Sequence, residues 1–271
     1  MPSPRLLPGR RLAMGLAFAA VASGACARAR PTPAPAEVRI TSGEQLLGAM
    51  HDRYAGKWYR TMTFRQTTTQ VPPQGGAERK STWYETMMLP GRLRIDTDLE
   101  RGGGTLYAND STYLILNNAL RRSFAGRNPL LVLGFDVYGQ PATRTAAILK
   151  DLGFPMSPVR DGVWEGRPVW IVGGSGATDL HSPQIWVDKE RLVFVRLLQP
   201  FVGDTTKTSD IRFTDYRPAG NGWVAARVEA YVGDQRTLVE EYSDIRVDPP
   251  VSETMFDPRK WNAAPHWAKS K

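Results

Sequence analysis

The sequence is poor in the residues that most site chemistry requires. Its 271 residues hold one cysteine and three histidines. The lone cysteine, Cys26, has no partner for an intrachain disulfide. His51, His181 and His266 stand far apart, and none has a second ligand at metal spacing, so no metal is expected. No Gly-x-Ser-x-Gly nucleophile motif occurs. Gly173-Gly174-Ser175-Gly176 lacks the lysine and the following helix of a phosphate cradle and reads as a hairpin loop. Basic residues are scattered, not gathered into runs interleaved with stacking aromatics, which argues against a nucleic-acid partner. Two acid pairs, Asp96 with Asp98 and Glu240 with Glu241, read as the solvated side of strands. From these absences we expect no catalytic residue, no cofactor and no enzyme.

Long apolar runs are also missing after residue 30, so no later segment reads as a membrane-spanning helix. The one apolar run, Leu12 to Val21, follows Arg5, Arg10 and Arg11 and precedes Ala22-Ser23-Gly24-Ala25-Cys26. This is the layout of an export signal over residues 1–26. Ser-Gly-Ala-Cys resembles a bacterial lipobox, with Ser23 where leucine is usual, and makes Cys26 the candidate for lipidation. Ala25-Cys26-Ala27 also fits ordinary cleavage after Ala27. Ala27 does not resemble the aspartate kind of inner-membrane retention signal, so an anchored chain is expected at the outer membrane and an unanchored one in the periplasm. Residues 27–40 carry Pro31, Pro33 and Pro35 and read as a semi-rigid tether. The formal charge is +8; without the three signal arginines, 32 basic residues face 27 acidic ones, which suits weak attraction to an anionic membrane surface.

The remaining chain is rich in period-two alternation. In Thr82 to Leu89, Trp83, Glu85 and Met87 share one face and Tyr84, Thr86 and Met88 the other. After Pro90-Gly91, Leu93, Ile95 and Leu99 alternate with Arg92, Arg94, Asp96 and Asp98. Turn residues break the pattern at Gly102-Gly103-Gly104 and Asn109-Asp110, which predicts a meander of antiparallel strands. Before it, Thr41-Ser42-Gly43-Glu44 resembles a capping box led by Thr41, and Leu46, Leu47, Met50 and Tyr54 form one stripe, predicting a helix over 42–55 closed by Gly56. Trp58 to Thr69 reads as a long strand ended by Pro72-Pro73-Gln74-Gly75-Gly76. Residues 128–153 read as a helical insert, with Asn128-Pro129 and Pro141 as helix starts. Beyond residue 157 the alternation returns, with two-residue turns expected at Asp161-Gly162, Asn221-Gly222 and Gly233-Asp234. The fold expected is α+β: one large curved antiparallel sheet, an incomplete barrel of ten or eleven strands covered by a few helices.

Trp83-Tyr84-Glu85 with Leu89-Pro90-Gly91-Arg92-Leu93-Arg94, Ile185-Trp186-Val187-Asp188, Phe213-Thr214-Asp215-Tyr216, and the closing Asp244 to Pro250 with Met255-Phe256-Asp257-Pro258 follow in a familiar order. Over residues 41–258 this order resembles the periplasmic lipoprotein carrier superfamily of LolA and LolB. The chain departs from the pattern in a longer helical insert and a tail, 259–271, rich in tryptophan and lysine. The resemblance implies a half-barrel closed by helices over an apolar cavity, a lipid or acylated protein as partner, and no catalysis. No functional residue of the superfamily matches position by position. The apolar face supplies the cavity-lining candidates: Met87, Leu93, Ile95, Leu114, Leu116, Phe194, Phe213 and Val228. The same residues would equally serve as a dry core, leaving a sheet edge or the helical insert to bind an envelope protein partner. The tail's Trp261 and Trp267 would rest at a lipid interface or pack on the sheet.

Palmitate labelling separates the two fates of Cys26. Lipidation incorporates label, and Cys26→Ser abolishes both the label and sedimentation with membranes; cleavage after Ala27 leaves an unlabelled chain beginning at Arg28.

Overall fold

A computed structural model describes residues 39–72 and 76–269; Cys26, the tether up to residue 38 and the turn residues 73–75 lie outside the described residues. The first helix, α1 (Gly43–Tyr54), ends as expected, with Gly56 at a φ of 69°. Its start lies one residue later than the sequence suggests. Ser42, not Thr41, is the cap, its hydroxyl accepting from the Gln45 backbone N–H at 3.3 Å. The Gln45 side chain reaches back to the Thr41 N–H at 2.8 Å, so Gln45 fills the role assigned to Glu44. Glu44 instead meets Lys150 at 2.6 Å, tying α1 to the helix α3 (Ala142–Asp151).

Between these helices runs a meander: β1 (Thr61–Gln70), β2 (Arg79–Met88), β3 (Arg92–Asp98), β4 (Gly103–Ala108), β5 (Ser111–Leu116) and β6 (Ala119–Ala125). The insert follows as α2 (Pro129–Gly134), a 3₁₀ turn at Asp136–Tyr138, and α3. Asn128 caps α2 by accepting from the Leu130 N–H at 2.9 Å, with Pro129 in the first turn where its missing donor costs nothing. Then come β7 (Val159–Trp164), β8 (Arg167–Gly173), β9 (Gln184–Asp188), β10 (Phe194–Phe201), β11 (Asp204–Ala219), β12 (Gly222–Val232) and β13 (Gln235–Val247). All neighbours pair antiparallel in the order β6-β5-β4-β3-β2-β1-β13-β12-β11-β10-β9-β8-β7. The first and last strands therefore meet in mid-sheet, with Thr63 opposite Arg246 and Thr68 opposite Glu240, and the sheet stays open between β6 and β7.

Thirteen strands exceed the ten or eleven expected. One reason is β7, where the sequence places a turn at Asp161-Gly162. Gly162 instead pairs with Val169 inside the strand, where a Cβ would sit 2.6 Å from the tip of the Ile171 side chain. The chain reverses four residues later at Glu165-Gly166, both at positive φ (49° and 75°). The Asn221-Gly222 turn is likewise displaced, to Gly220-Asn221, because Gly222 pairs with Ala219 and lies against the Trp58 ring. The Gly233-Asp234 turn stands where expected, between Val232 and its partner Gln235.

One sheet face carries the main core. Met62, Phe64, Met87, Leu93, Phe194, Leu197, Phe213 and Val228 pack there against Leu46, Met50, Leu133 and Leu149 from the helices. Stacked Trp58 and Tyr138, 3.7 Å apart, join the entry to β1 to the 3₁₀ turn, with Tyr54 of α1 edge-on to both. The opposite face of β2 to β5 is covered by the tail, which packs on the sheet. Trp261 is buried and lies 3.7 Å from the Arg94 guanidinium. The Trp267 indole donates to Thr86 Oγ1 at 3.0 Å. Asp96 is not on a solvated face, as alternation suggests, but 1 % exposed, gripped by Nε and Nη2 of Arg94 at 2.8 Å and by His266 at 3.0 Å.

Two alanine substitutions test this packing by urea unfolding. A Cβ at Gly104 would lie 2.1 Å from the Ile95 carbonyl and 2.8 Å from Trp261; Gly104→Ala is expected to cost about 1–3 kcal/mol. Gly48 lies inside α1 with nothing within 4 Å of an added Cβ; Gly48→Ala is expected to stabilise by about 0.5–1 kcal/mol.

Candidate functional site

A cleft of about 540 Å³ opens at one end of the covered face. Three turns form its rim: Pro90-Gly91 between β2 and β3, Asn109-Asp110 between β4 and β5, and Gly126 to Asn128 leading into α2. The Asn-Asp pair can hold this tight reversal because both residues tolerate positive φ (51° and 57°). Leu131, Val132 and Ile148 give the cleft an apolar wall. Its charges are arranged in pairs. Asp110 accepts from Arg127 at 2.6 Å and from Arg144 at 3.5 Å, while Arg92 faces Glu253 at 3.5 Å. Asp136, 2 % exposed, accepts from the Gly91 N–H at 2.8 Å.

Behind Leu131 and Asn128, which border both spaces, lies a chamber of about 80 Å³ under α2. Met87, Leu93, Ile95, Phe213 and Val228 line it, so the structure gathers five of the eight candidate residues at one place. Phe194 is fully buried 4.9 Å from Phe213, a core contact and not a lining one. Leu114 and Leu116 are corrections. They lie toward the open edge of the sheet, 37 % and 55 % exposed, because no helix reaches over β5 and β6.

Sequence reasoning missed Glu85, and it set Glu240, paired with Glu241, on the solvated side of a strand, whereas both line this chamber. The signal was present. Glu85 is in phase with Trp83 and Met87, and Glu240 with Leu238 and Tyr242, so each interrupts a strand face that faces inward. Glu85 is 4 % exposed, and burial, then the neighbouring Glu240 charge, holds its carboxyl well above the usual range. Burial pushes Glu240 up to about 7, against the Tyr242 hydroxyl, which donates to it at 3.0 Å. Asp136 is also pushed up to about 7 by burial, opposed by the Gly91 N–H and the charges of Arg127 and Arg144. His51, by contrast, sits at the surface beside Asp52 (3.0 Å), and His181 meets the Thr208 hydroxyl at 2.9 Å. Neither approaches the cleft.

These shifts set a pH dependence. An acid raised in the folded state keeps its proton longer than in the unfolded chain, so its stabilising effect is complete below the unfolded value and is lost as pH rises through the folded one. For Glu240 that window runs from 4.5 to about 7. Asp96, Asp188 and Asp210, which burial would raise, are held below their usual range, Asp96 by His266 and then Arg94 and the other two by their arginine partners, and weaken the fold only in stronger acid. The melting temperature is therefore expected to fall from pH 5 to pH 8. Glu240→Gln should recover ~1–3 kcal/mol at pH 8 and little at pH 4.5.

No family model matches the sequence, and no curated protein does. Solved structures match the fold. A DUF1329 family protein from Desulfovibrio piger aligns over 79 % of this chain and 95 % of its own, with a TM-score of 0.54 at 13 % identity. A LolA superfamily protein from Nitrosomonas europaea aligns over 80 % and 98 %, with a TM-score of 0.50 at 12 % identity. A putative outer membrane lipoprotein-sorting protein domain from Vibrio parahaemolyticus aligns over 81 % and 97 %, with a TM-score of 0.51 at 13 % identity. With its open antiparallel sheet and helical cover, the chain has the fold of the LolA superfamily.

Proposed function

We propose that this protein is a non-enzymatic carrier or receptor that takes the hydrophobic part of a lipid, an acyl chain or a lipoprotein between the inner face of the sheet and α2. The observation that carries this reading is the adjacency of the two spaces: a cleft of about 540 Å³ lies beside a largely apolar chamber of about 80 Å³, with Leu131 and Asn128 common to both walls. The cleft has the size of a ligand site, whereas the chamber alone holds only two or three waters' worth of volume, ~30 Å³ each. Uptake of a chain therefore requires α2 to shift. Six residues long and flanked by the Asn128 cap and Gly134, α2 is the least extensive of the covering helices. The lipoprotein-sorting description of the Vibrio parahaemolyticus neighbour agrees with this role. No helix of the described residues is long and apolar enough to cross a membrane. The export signal and Cys26 point to the periplasmic face of the outer membrane, with the anchor on Cys26 holding the domain at the bilayer.

A second reading, an envelope protein-interaction module, rests on β6. Every residue of this edge strand is exposed, and Leu116, Leu120 and Phe124 stand open on β5 and β6 beside an unpaired edge.

Native mass spectrometry of the full chain, exported and purified without detergent, tests the two. A carrier is expected to hold co-purifying or added lipid near one to one. Leu93→Trp, which fills the chamber, should abolish that uptake with the fold intact. A protein that takes up neither phospholipid nor acylated peptide, and whose Leu93→Trp variant is merely destabilised, would sink the carrier reading in favour of the edge.

A further inference from the structure

The chamber has a chemical asymmetry that an acyl tail would not satisfy. Its walls are hydrocarbon, yet two carboxyls face into it from β2 and β13. Three other buried acids have arginine partners: Asp96 has Arg94, Asp188 has Arg167, and Asp210 has both Arg196 and Arg212, while Asp136 takes the Gly91 N–H. Among the described residues, Glu85 has no hydrogen bond and no ion pair, and the one charge that acts on it is the like charge of Glu240. Glu240 receives the Tyr242 hydroxyl and the Gln66 side chain. Beside it lies Gln66, fully buried, whose amide nitrogen is committed to Thr68 at 2.8 Å while its Oε1 has no partner. The chamber thus holds a Glu85 carboxyl with no donor and a Glu240 carboxyl with acceptor capacity to spare, and beside Glu240 the Gln66 carbonyl is also without a partner.

A group with three donors and no acceptor is an ammonium. We propose that Glu85 and Glu240, with Gln66 beside Glu240, receive the primary ammonium group of an amphiphile whose aliphatic body lies against Met87, Leu93 and Val228 and leaves past Leu131 into the cleft. The inference deepens the carrier reading and rests on it, since it assigns the chemical class of the ligand. The volume agrees: about 80 Å³ admits an amine and its first methylenes, and rejects a bulky head. Charge agrees as well. A buried carboxyl is costly without a partner, and in the ligand-free protein a proton stands in for the cation. When the ammonium enters, that proton leaves to solvent, and the carboxylate pairs with the N–H donors. The tyrosines nearby, Tyr242 on β13 and Tyr107 on β4, bring no positive charge to the two acids.

Isothermal titration of the full chain with dodecylamine, dodecanoic acid and lysophosphatidylethanolamine, each as monomer, tests this. Dodecylamine is expected to bind at least tenfold tighter than the acid, to release protons (read by comparing buffers of different ionisation heat), and to lose at least tenfold in both Glu85→Gln and Glu240→Gln. These variants are isosteric and are expected to melt no lower than wild type. Equal affinity of lysophosphatidylethanolamine assigns a lipid amine as source; binding of the alkylamine alone assigns a soluble amine. Amine and acid binding alike, or amine binding that survives both substitutions, overturns the proposal. Binding of the acid alone overturns it and leaves the carrier reading standing, while failure of all three ligands sinks both.

Discussion

Helical cover is scarce in this fold, and most of its particulars follow from that shortage. Three helices of twelve, six and ten residues lie over a sheet of thirteen strands. An open sheet with apolar residues on both faces must bury each of them against something. On the inner face α1 and α3 are bound to each other and to the sheet through Leu46, Met50 and Leu149, and make a dry core with β10 to β12. Only α2 spans the region over β2, β3 and β13, and there the chamber and its two acids remain. Over β5 and β6 there is no helix, and Leu114, Leu116 and Phe124 are left in contact with solvent.

The outer face solves the same problem with side chains and a tail. Arg94 is held between Asp96 and the Trp261 ring, and His266 closes the group from the tail. On the other half of the sheet Arg196 lies between Trp164 and Trp186, 4.3 and 4.7 Å from their centroids, and grips Asp210 with two nitrogens at 2.8 Å. Buried pairs of this kind contribute little net stability against a hydrophobic replacement, but losing one partner costs ~3–5 kcal/mol. They hold the tail and the strand register in place. Set beside them, Glu85 stands out as a buried acid to which the protein brings no cation.

Much of the strand pattern was legible along the chain. Alternation in 83–98 assigns faces to residues with no knowledge of what they meet, because successive side chains in a strand point opposite ways whatever surrounds them. The helix starts at Ser42 and Asn128 are similarly local, being hydrogen bonds between residues two or three apart. The errors arose where a local signal was overridden by a distant neighbour. Asp161-Gly162 has turn chemistry, yet β8 pairs straight past it, with Trp170 opposite Asp161 and Val169 opposite Gly162. Asp96 alternates like a solvated residue, yet the partner that buries it, His266, is 170 positions away.

The sequence by itself determined the open antiparallel architecture, the inward set of Met87, Leu93, Ile95, Phe213 and Val228, and the reading of residues 1–26 as an export signal, since each depends on spacing over a few residues. Only the tertiary structure decided which apolar residues surround a chamber and which end in solvent. That outcome turns on where a six-residue helix comes to rest over thirteen strands, and on the pairing of β1 with β13 that brings Glu85 and Glu240, 155 positions apart in the chain, to one buried space.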